Sequence, residues 1–290
     1  MDLLLCLYQT KNSMIKTIIF LLVILIIIAL IWGISPLTIF RRRGLKNRVF
    51  PLDWVVILER NVPFYKRLPV SLRKRLHGHI NVLLAEKKFK GCGGLQLTDE
   101  IKLTIAIQAA LLLLNERGNY FSKLRVILVY PRAFIANQTT PFGELYLEET
   151  QVKSGESWQI GIVVLSWEDI RRDTLNWRDG HNVVLHEFAH QLDQEAGSAS
   201  GVPILEKQSD YVSWARVFSQ DYVKLCHDVE RGTKTVIDEY GATNPAEFFA
   251  VATETFFEKP FQLQKQHPEL YNELKRYYKL DPVEWSIEPI

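Results

Sequence analysis

Cysteine is scarce in this chain of 290 residues, and its three cysteines, Cys6, Cys92 and Cys226, have no metal-binding spacing. So small and odd a number argues against a framework of disulfide bonds and agrees with a reducing compartment. Internal repeats are also lacking, which excludes the repeat architectures. The formal net charge is only +2. What remains is a chain with ordinary globular composition and one unusual segment near its start.

That segment contains no charged residue from Thr17 to Phe40, and it is almost purely aliphatic between Ile18 and Trp32. A run of 24 such residues is long enough to cross a bilayer, whereas the apolar part of a signal peptide is about 7 to 15 residues long and precedes a cleavage site with small residues. No convincing cleavage site follows here. We therefore predict a transmembrane anchor over residues 17–36, with a buried core helix as the alternative.

Basic residues are more numerous after this run than before it. Two lysines precede it, and five basic residues follow it closely, namely Arg41, Arg42, Arg43, Lys46 and Arg48. The positive-inside rule then predicts a single-pass membrane protein whose main domain faces the cytoplasm. Residues 41–90 have 14 lysines and arginines against three acidic residues, which favours contact with anionic lipids. Binding of nucleic acid is not expected, because the segment contains no recognisable motif.

The predicted organisation is a short tail (1–16), the anchor (17–36), a basic juxtamembrane linker (37–60) and one domain (61–285). Helices are expected from about residue 68 to 88 and from Thr98 to residue 114, and strands at 124–130 and 159–166. Helices dominate from there to the C-terminus. This order indicates an α+β domain that is mainly helical, with a small sheet. His77 and His79 flank a glycine among basic residues and are expected to be exposed to solvent.

The sequence His-Glu-Phe-Ala-His at residues 186–190 is the strongest indication of chemistry. Residues i and i+4 lie on one face of a helix, so His186 and His190 can both bind one metal ion. Glu187 is then beside the open coordination position, where it can take a proton from an activated water molecule. Residues 182–194 have the apolar pattern of a helix, and Gly197 follows where a helix commonly ends. The pattern indicates a zinc hydrolase that still needs a third protein ligand.

A second helix, which we expect to begin at Asn244, offers two candidates for that ligand. Glu247 has two possible roles: it can close a capping box with the Asn244 amide, or it can bind the metal. Glu254 lies seven residues further on and on nearly the same face, so it can be a ligand or accept a hydrogen bond from a ligating imidazole. Both positions are among large apolar residues, where an unpaired carboxylate is costly. The residues alone leave the choice open.

Several separated motifs accompany this pair of helices. HEFAHQLD at 186–193 is followed by GVP at 201–203, DEY at 238–240, PAEFFA at 245–250 and ETFF at 254–257. VKSGESW at 152–158 and VVLSW at 163–167 precede it, and PELY at 268–271 and YYKLDP at 277–282 end the series. These motifs resemble the Mlc titration factor A family of bacterial zinc metallopeptidases, and the match as a whole spans about residues 60–285.

The resemblance implies a zincin-like (gluzincin-like) metallopeptidase domain that hydrolyses peptides. It assigns one zinc ion to three ligands, His186, His190 and Glu247. It also makes Glu187 the general base and leaves Glu254 to hold a ligating histidine. Tyr240 matches a tyrosine near the family's site, so its phenol is expected to donate a hydrogen bond to the oxyanion, and a core aromatic is the alternative. The strand at 159–166 can offer its edge to an extended substrate, as in zincin-type peptidases.

Two further expectations concern Asp193 and a partner. Asp193 follows His190 by three residues, so it either orients a ligating histidine or caps and solvates the end of the helix. Family members are also linked to binding a transcriptional repressor of sugar uptake. The alternative function is therefore a zinc-stabilised protein that sequesters a transcriptional regulator, with little or no turnover.

Overall fold

The computed structural model describes residues 2–31, 36–116, 119–132, 140–142, 145–147, 161–197 and 199–287. The chain divides into two compact units, residues 1–48 and residues 49–290, and each is described by itself.

The smaller unit contains two helices, α1 (Asp2–Ile31) and α2 (Pro36–Lys46). The prediction of a transmembrane anchor is wrong, because no helix among the described residues is both long and apolar enough to cross a membrane. The predicted single-pass topology and the cytoplasmic orientation depended on this anchor and are withdrawn with it.

The larger unit begins with three helices, α3 (Leu52–Asn61), α4 (Val70–Glu86) and α5 (Asp99–Leu111). The predicted start of α5 is confirmed, since the Thr98 side chain accepts a hydrogen bond from the Ile101 N–H. A threonine at this position satisfies one of the N–H groups that the first helical turn leaves without a partner. Every residue of α5 from Leu103 to Leu111 is buried, so this helix lies in the core of the unit.

Three parallel strands form the main sheet in the order β1 (Lys88–Gly91), β2 (Val126–Tyr130) and β5 (Ile162–Ser166). Val126 lies opposite Lys88 on one side and Ile162 on the other. Three successive residues of β2, Ile127 to Val129, are buried, as expected of a parallel strand covered on both faces. A separate antiparallel pair consists of β3 (Thr140–Phe142) and β4 (Leu145–Leu147).

The described residues that follow β5 are mainly helical. The helices are α6 (Trp167–Leu175), α7 (Val183–Glu195), α8 (Gln208–Glu230), α9 (Pro245–Glu258), α10 (Pro260–Gln266) and α11 (Pro268–Tyr278). Helix α7 packs along α9, and the side chain of Trp214 from α8 stacks on Phe218 at 3.9 Å and meets Phe249 of α9 edge-on at 5.7 Å. The predicted α+β class, mainly helical with a small sheet, is therefore confirmed, apart from the transmembrane helix.

The predicted exposure of His77 and His79 in α4 is wrong. His79 is only 2% exposed, and its Nδ1 lies 2.8 Å from the Tyr120 hydroxyl. His77 is half-buried, with its ring stacked 3.9 Å from the ring of Phe50 and its Nε2 2.7 Å from the Tyr65 hydroxyl. Tyr120 is 41 residues from His79, so the local sequence contained no sign of this partner.

Candidate metal centre

Helix α7 begins where its sequence predicts. The Asn182 side chain accepts a hydrogen bond from the Leu185 N–H at 3.0 Å, and Asp173 accepts one from the Val183 N–H at 3.0 Å. These two bonds satisfy N–H groups of the first turn. From this start, His186 and His190 are one turn apart on the same face of α7, and that face lies against α9.

Helix α9 has the cap that its sequence predicts. The Asn244 side chain accepts hydrogen bonds from the Ala246 and Glu247 N–H groups, each at 3.0 Å, and Pro245 occupies the first turn. Among the described contacts there is no capping box, in which the Glu247 carboxylate would accept a hydrogen bond from the Asn244 N–H. The Oε2 atom of Glu247 instead lies 3.0 Å from Nε2 of His186 and 3.1 Å from Nε2 of His190.

Three potential metal ligands therefore converge on one point. The two Nε2 atoms are 3.1 Å apart, and all three donor atoms of His186, His190 and Glu247 lie within 4.8 Å of one another. Donor atoms about 2.0–2.1 Å from a tetrahedral ion are roughly 3.3 Å apart. The near-equal spacing of two imidazole nitrogens and one carboxylate oxygen thus fits three corners of a tetrahedron, with a fourth open.

Glu254 contacts the opposite side of the same imidazole. Its Oε1 lies 2.7 Å from Nδ1 of His186, and its Oε2 accepts a hydrogen bond from the Asn182 N–H. When Nδ1 donates its proton to Glu254, Nε2 is left with its lone pair facing Glu247 and His190. The two glutamates of α9 therefore occupy different positions, one at the convergence point and one behind the ring.

The pKa values of these glutamates reflect the same contacts. Burial alone would raise both, but hydrogen bonds from His186 and His190 lower the pKa of Glu247 to about 2. For Glu254, burial is likewise outweighed by hydrogen bonds from His181 and His186, so its pKa lies below the ordinary value. Both carboxylates are therefore charged at neutral pH, which is the form that a metal ligand or a histidine acceptor needs.

Glu187 lacks the partners that the other two glutamates have. Its Oε2 is buried and has no hydrogen-bond partner in the part of the chain that the structure describes. Burial raises its pKa to about 8, and the negative charges of Glu247 and Glu254 contribute in the same direction while His186 opposes it. A buried carboxyl oxygen without a partner, next in sequence to His186, is suited to exchanging a proton with a molecule bound at the site.

Tyr240 borders the convergence point from a short 3-10 helix, Glu239–Ala242. Asp238 accepts a hydrogen bond from the Tyr240 N–H at 2.9 Å and so begins this turn. The Tyr240 residue is 48% exposed, and its ring centroid is 5.9 Å from that of His186. The Tyr240 ring is therefore not part of the buried core, and it lies beside the ring of His186.

Asp193 is completely buried, so it does not form a solvated helix end. Its two carboxylate oxygens accept hydrogen bonds from the Gly201 N–H at 2.7 Å and the Val202 N–H at 3.0 Å. These two bonds go to the backbone of the segment that follows α7, and the charge of His190 also acts on the Asp193 carboxylate. Asp193 therefore attaches the segment after α7 to the last turns of that helix.

Comparison with known proteins identifies the family. The family model described as glucose-regulated metallo-peptidase M90 matches residues 37–279. The chain belongs to this family. The uncharacterized protein slr2042 of Synechocystis sp. is 46% identical over 272 residues, 93% of this chain and 99% of that protein. Mlc titration factor A of Yersinia pestis (strain Pestoides F) is 32% identical over 228 residues, 77% of this chain and 83% of that protein, and its counterpart in Yersinia pseudotuberculosis (serotype O:1b) matches equally.

The resemblance to the Mlc titration factor A family is thereby confirmed, and membership of the M90 metallopeptidases implies that a metal is bound. In the part of the chain that the structure describes, His186, His190 and Glu247 form the cluster that could hold a metal ion.

Sequence reasoning missed the polar residues behind this M90 site. The Nδ1 atom of His181 lies 3.4 Å from Oε2 of Glu254, and the hydrogen bond to Glu254 raises the pKa of His181. Glu258 and Gln108 are buried and both accept from the Asn182 amide. A usable signal existed for Glu258, because it follows Glu254 by four residues and so shares its helix face.

Proposed function

We propose that this M90 protein is a zinc-dependent peptidase. The observation that carries the proposal is the convergence of His186, His190 and Glu247 on one point beside the orphaned carboxyl oxygen of Glu187. Two imidazoles and one carboxylate are a ligand set of catalytic zinc sites, which keep a fourth position for water or substrate. Zinc, when bound, supplies a Lewis acid that activates water and polarises the scissile carbonyl.

The chain's own residues have distinct tasks in this proposal. Glu187 accepts a proton from the attacking water and passes it to the leaving amine, so the peptide bond is exchanged for a carboxylate and an amine. Tyr240 donates its phenolic hydrogen to the oxyanion, a role for which its exposed position beside His186 is suitable. Glu254 holds the ring of His186 through Nδ1.

The test is hydrolysis of a panel of short chromogenic peptides with a chelator, and again after zinc is restored. Activity should disappear on chelation and return with zinc. Glu187→Ala should keep its zinc and lose hydrolysis, whereas His190→Ala should lose both. Zinc bound by His190→Ala at the wild-type stoichiometry would sink the assignment of the ligands.

A second candidate function is binding of a regulatory protein with little turnover. It is supported by the name of the Yersinia relatives, Mlc titration factor A. The two functions differ in what Glu187→Ala does. If wild type and Glu187→Ala retain a regulatory protein equally in pull-downs, and neither hydrolyses it or the peptide panel, binding is the function; hydrolysis by wild type alone supports the peptidase.

A further inference from the structure

A buried polar network begins directly behind the metal centre, at Asn182. This residue uses all its polar groups: its C=O accepts the His186 N–H at 2.9 Å, its N–H donates to Glu254, and its side-chain oxygen caps α7 at Leu185. The remaining group, the Nδ2 amide, donates to Oε1 of Gln108 at 2.8 Å and to Oε1 of Glu258 at 3.0 Å.

The network continues away from the site through α5 and α6. Nε2 of Gln108 donates to the Thr104 carbonyl at 2.8 Å and to the Thr174 hydroxyl oxygen at 3.0 Å. The second oxygen of Glu258 accepts the Gly180 N–H at 3.0 Å. Gln108 and Asn182 are 0% exposed, so no solvent can replace a lost partner without rearrangement.

The direction of each amide in this network is determined by its neighbours. The Leu185 N–H requires an oxygen at Oδ1 of Asn182, so the nitrogen of that amide must face Gln108 and Glu258. The Thr104 carbonyl requires a donor, so Gln108 must present its oxygen to Asn182. With a single consistent arrangement and no unused group on either amide, the network restricts Asn182 to one position.

We propose that Gln108 and Glu258 are positioning residues of the metal centre, acting through Asn182 and Glu254 on the ring of His186. The inference rests on the proposed function, because it assumes that His186 binds zinc. Its physical basis is that Asn182 both begins α7 and binds the carboxylate that orients His186. Any shift of Asn182 therefore moves the Nε2 atom of His186 relative to Glu247.

The experiment measures the zinc dissociation constant by competition with a chromogenic chelator, together with the melting temperature of the metal-free protein. Gln108→Met keeps the volume and removes both the acceptor for Asn182 and the donor to Thr104. Loss of a direct hydrogen-bond partner of a metal-ligating histidine typically weakens metal binding about 10-fold to 100-fold. Because Gln108 is separated from such a partner by two further hydrogen bonds, we expect Gln108→Met to weaken zinc binding about threefold to tenfold.

A matched control and a conservative variant separate positioning from general destabilisation. Asn115→Leu removes another buried amide, which donates to the Tyr277 carbonyl at 3.1 Å, and should lower the melting temperature while leaving the zinc dissociation constant unchanged. Gln108→Glu keeps an oxygen toward Asn182 and, because burial favours its protonated form, a donor as well. Gln108→Glu should recover most of the zinc affinity. If Gln108→Met does not fold, Gln108→Glu becomes the probe, and its zinc affinity should then lie between that of wild type and that of Asn182→Ser.

Three outcomes are distinguishable. Reduced affinity in Gln108→Met with rescue in Gln108→Glu supports the proposal. Wild-type affinity in Gln108→Met, or equal losses in Gln108→Met and Asn115→Leu, overturns the positioning role and leaves the proposed peptidase intact. A wild-type protein that binds no zinc overturns both.

Discussion

The two glutamates of α9 lie on opposite sides of one imidazole, and this difference predicts different zinc behaviour. Glu247→Ala removes one of three converging donors, so we expect no zinc to remain after dialysis. Glu254→Gln leaves all three donors but weakens the hold on Nδ1 of His186, so one zinc should still bind, about 10-fold to 100-fold more weakly. Metal analysis and chelator competition on both variants decide the matter, and the same zinc content in both would contradict the two roles.

Tyr240 should affect turnover without affecting stability. The residue is about half exposed, so removal of its hydroxyl in Tyr240→Phe should leave the melting temperature nearly unchanged. Loss of one hydrogen-bond donor to an oxyanion typically lowers kcat about 100-fold to 1,000-fold. Tyr222→Phe is the matched control, because that hydroxyl donates to the Ala242 carbonyl in the same short 3-10 helix. If both variants retain wild-type kcat, Tyr240 does not touch the reacting carbonyl.

At the scale of elements, the start of α9 is packed against the segment that follows α7. Gly201 has φ of +76°, and a Cβ there would lie 2.3 Å from the Pro245 carbonyl oxygen. Gly201→Ala therefore imposes both backbone strain and a clash with backbone, and should cost about 2 kcal/mol or more in free energy of unfolding.

The control for this substitution is Gly232→Ala. Gly232 has a similar φ of +65°, but no atom lies within 4 Å of the added Cβ, so only the strain of about 1 kcal/mol remains. Urea unfolding of the two variants gives the difference. Equal losses would mean that Pro245 moves aside freely and that the start of α9 is not fixed by this contact.

Elements whose signals are local could be predicted, and those that depend on distant partners could not. Thr98, Asn182 and Asn244 each cap a helix through an N–H two or three residues away, so the sequence contains the whole interaction. Strand β1 was not predicted because four residues carry little pattern, and its place beside β2 depends on pairing across 38 residues. The anchor was predicted from the composition of residues 17–36 alone, and no helix in the described ranges is long and apolar enough to cross a membrane.

The same distinction applies to the site. The histidine pair and Glu187 could be inferred from five consecutive residues, and the choice between the two glutamates needed the geometry of two helices. The partners of the His181 ring and of the Asn182 Nδ2 group lie more than 70 residues away in sequence, on other helices. Neither spacing nor composition indicates such contacts.

For the whole molecule, the lowered pKa of His77 predicts that the free energy of unfolding decreases in mild acid. Burial, assisted by the charge of Arg73, lowers its pKa to about 4, whereas in the unfolded chain it is about 6.5. As the pH falls, His77 therefore takes up a proton in the unfolded chain before it does so in the folded protein. The contribution of His77 to the free energy of unfolding is fully present above about pH 6.5 and is lost progressively toward pH 4. Allowing for the partly exposed ring, the loss should be about 2 kcal/mol.

The measurement compares urea unfolding of metal-free wild type and His77→Gln at pH 7, 5.5 and 4.5. Because glutamine does not titrate, the variant should show a smaller decrease in stability over this range, although it is less stable at pH 7. Parallel curves for the two proteins would show that His77 is not the group responsible.

The distance in sequence between the two halves of the metal centre has a consequence for folding kinetics. His190 and Glu247 are 57 residues apart in sequence, so the third donor joins the other two only when α9 has docked on α7. We therefore expect that zinc, if it is the bound metal, binds after the barrier to folding has been crossed and stabilises the native state alone. In stopped-flow experiments, zinc should leave the refolding rate unchanged and slow unfolding. Chelation would then shorten the lifetime of the folded protein, while its ability to refold would be unaffected.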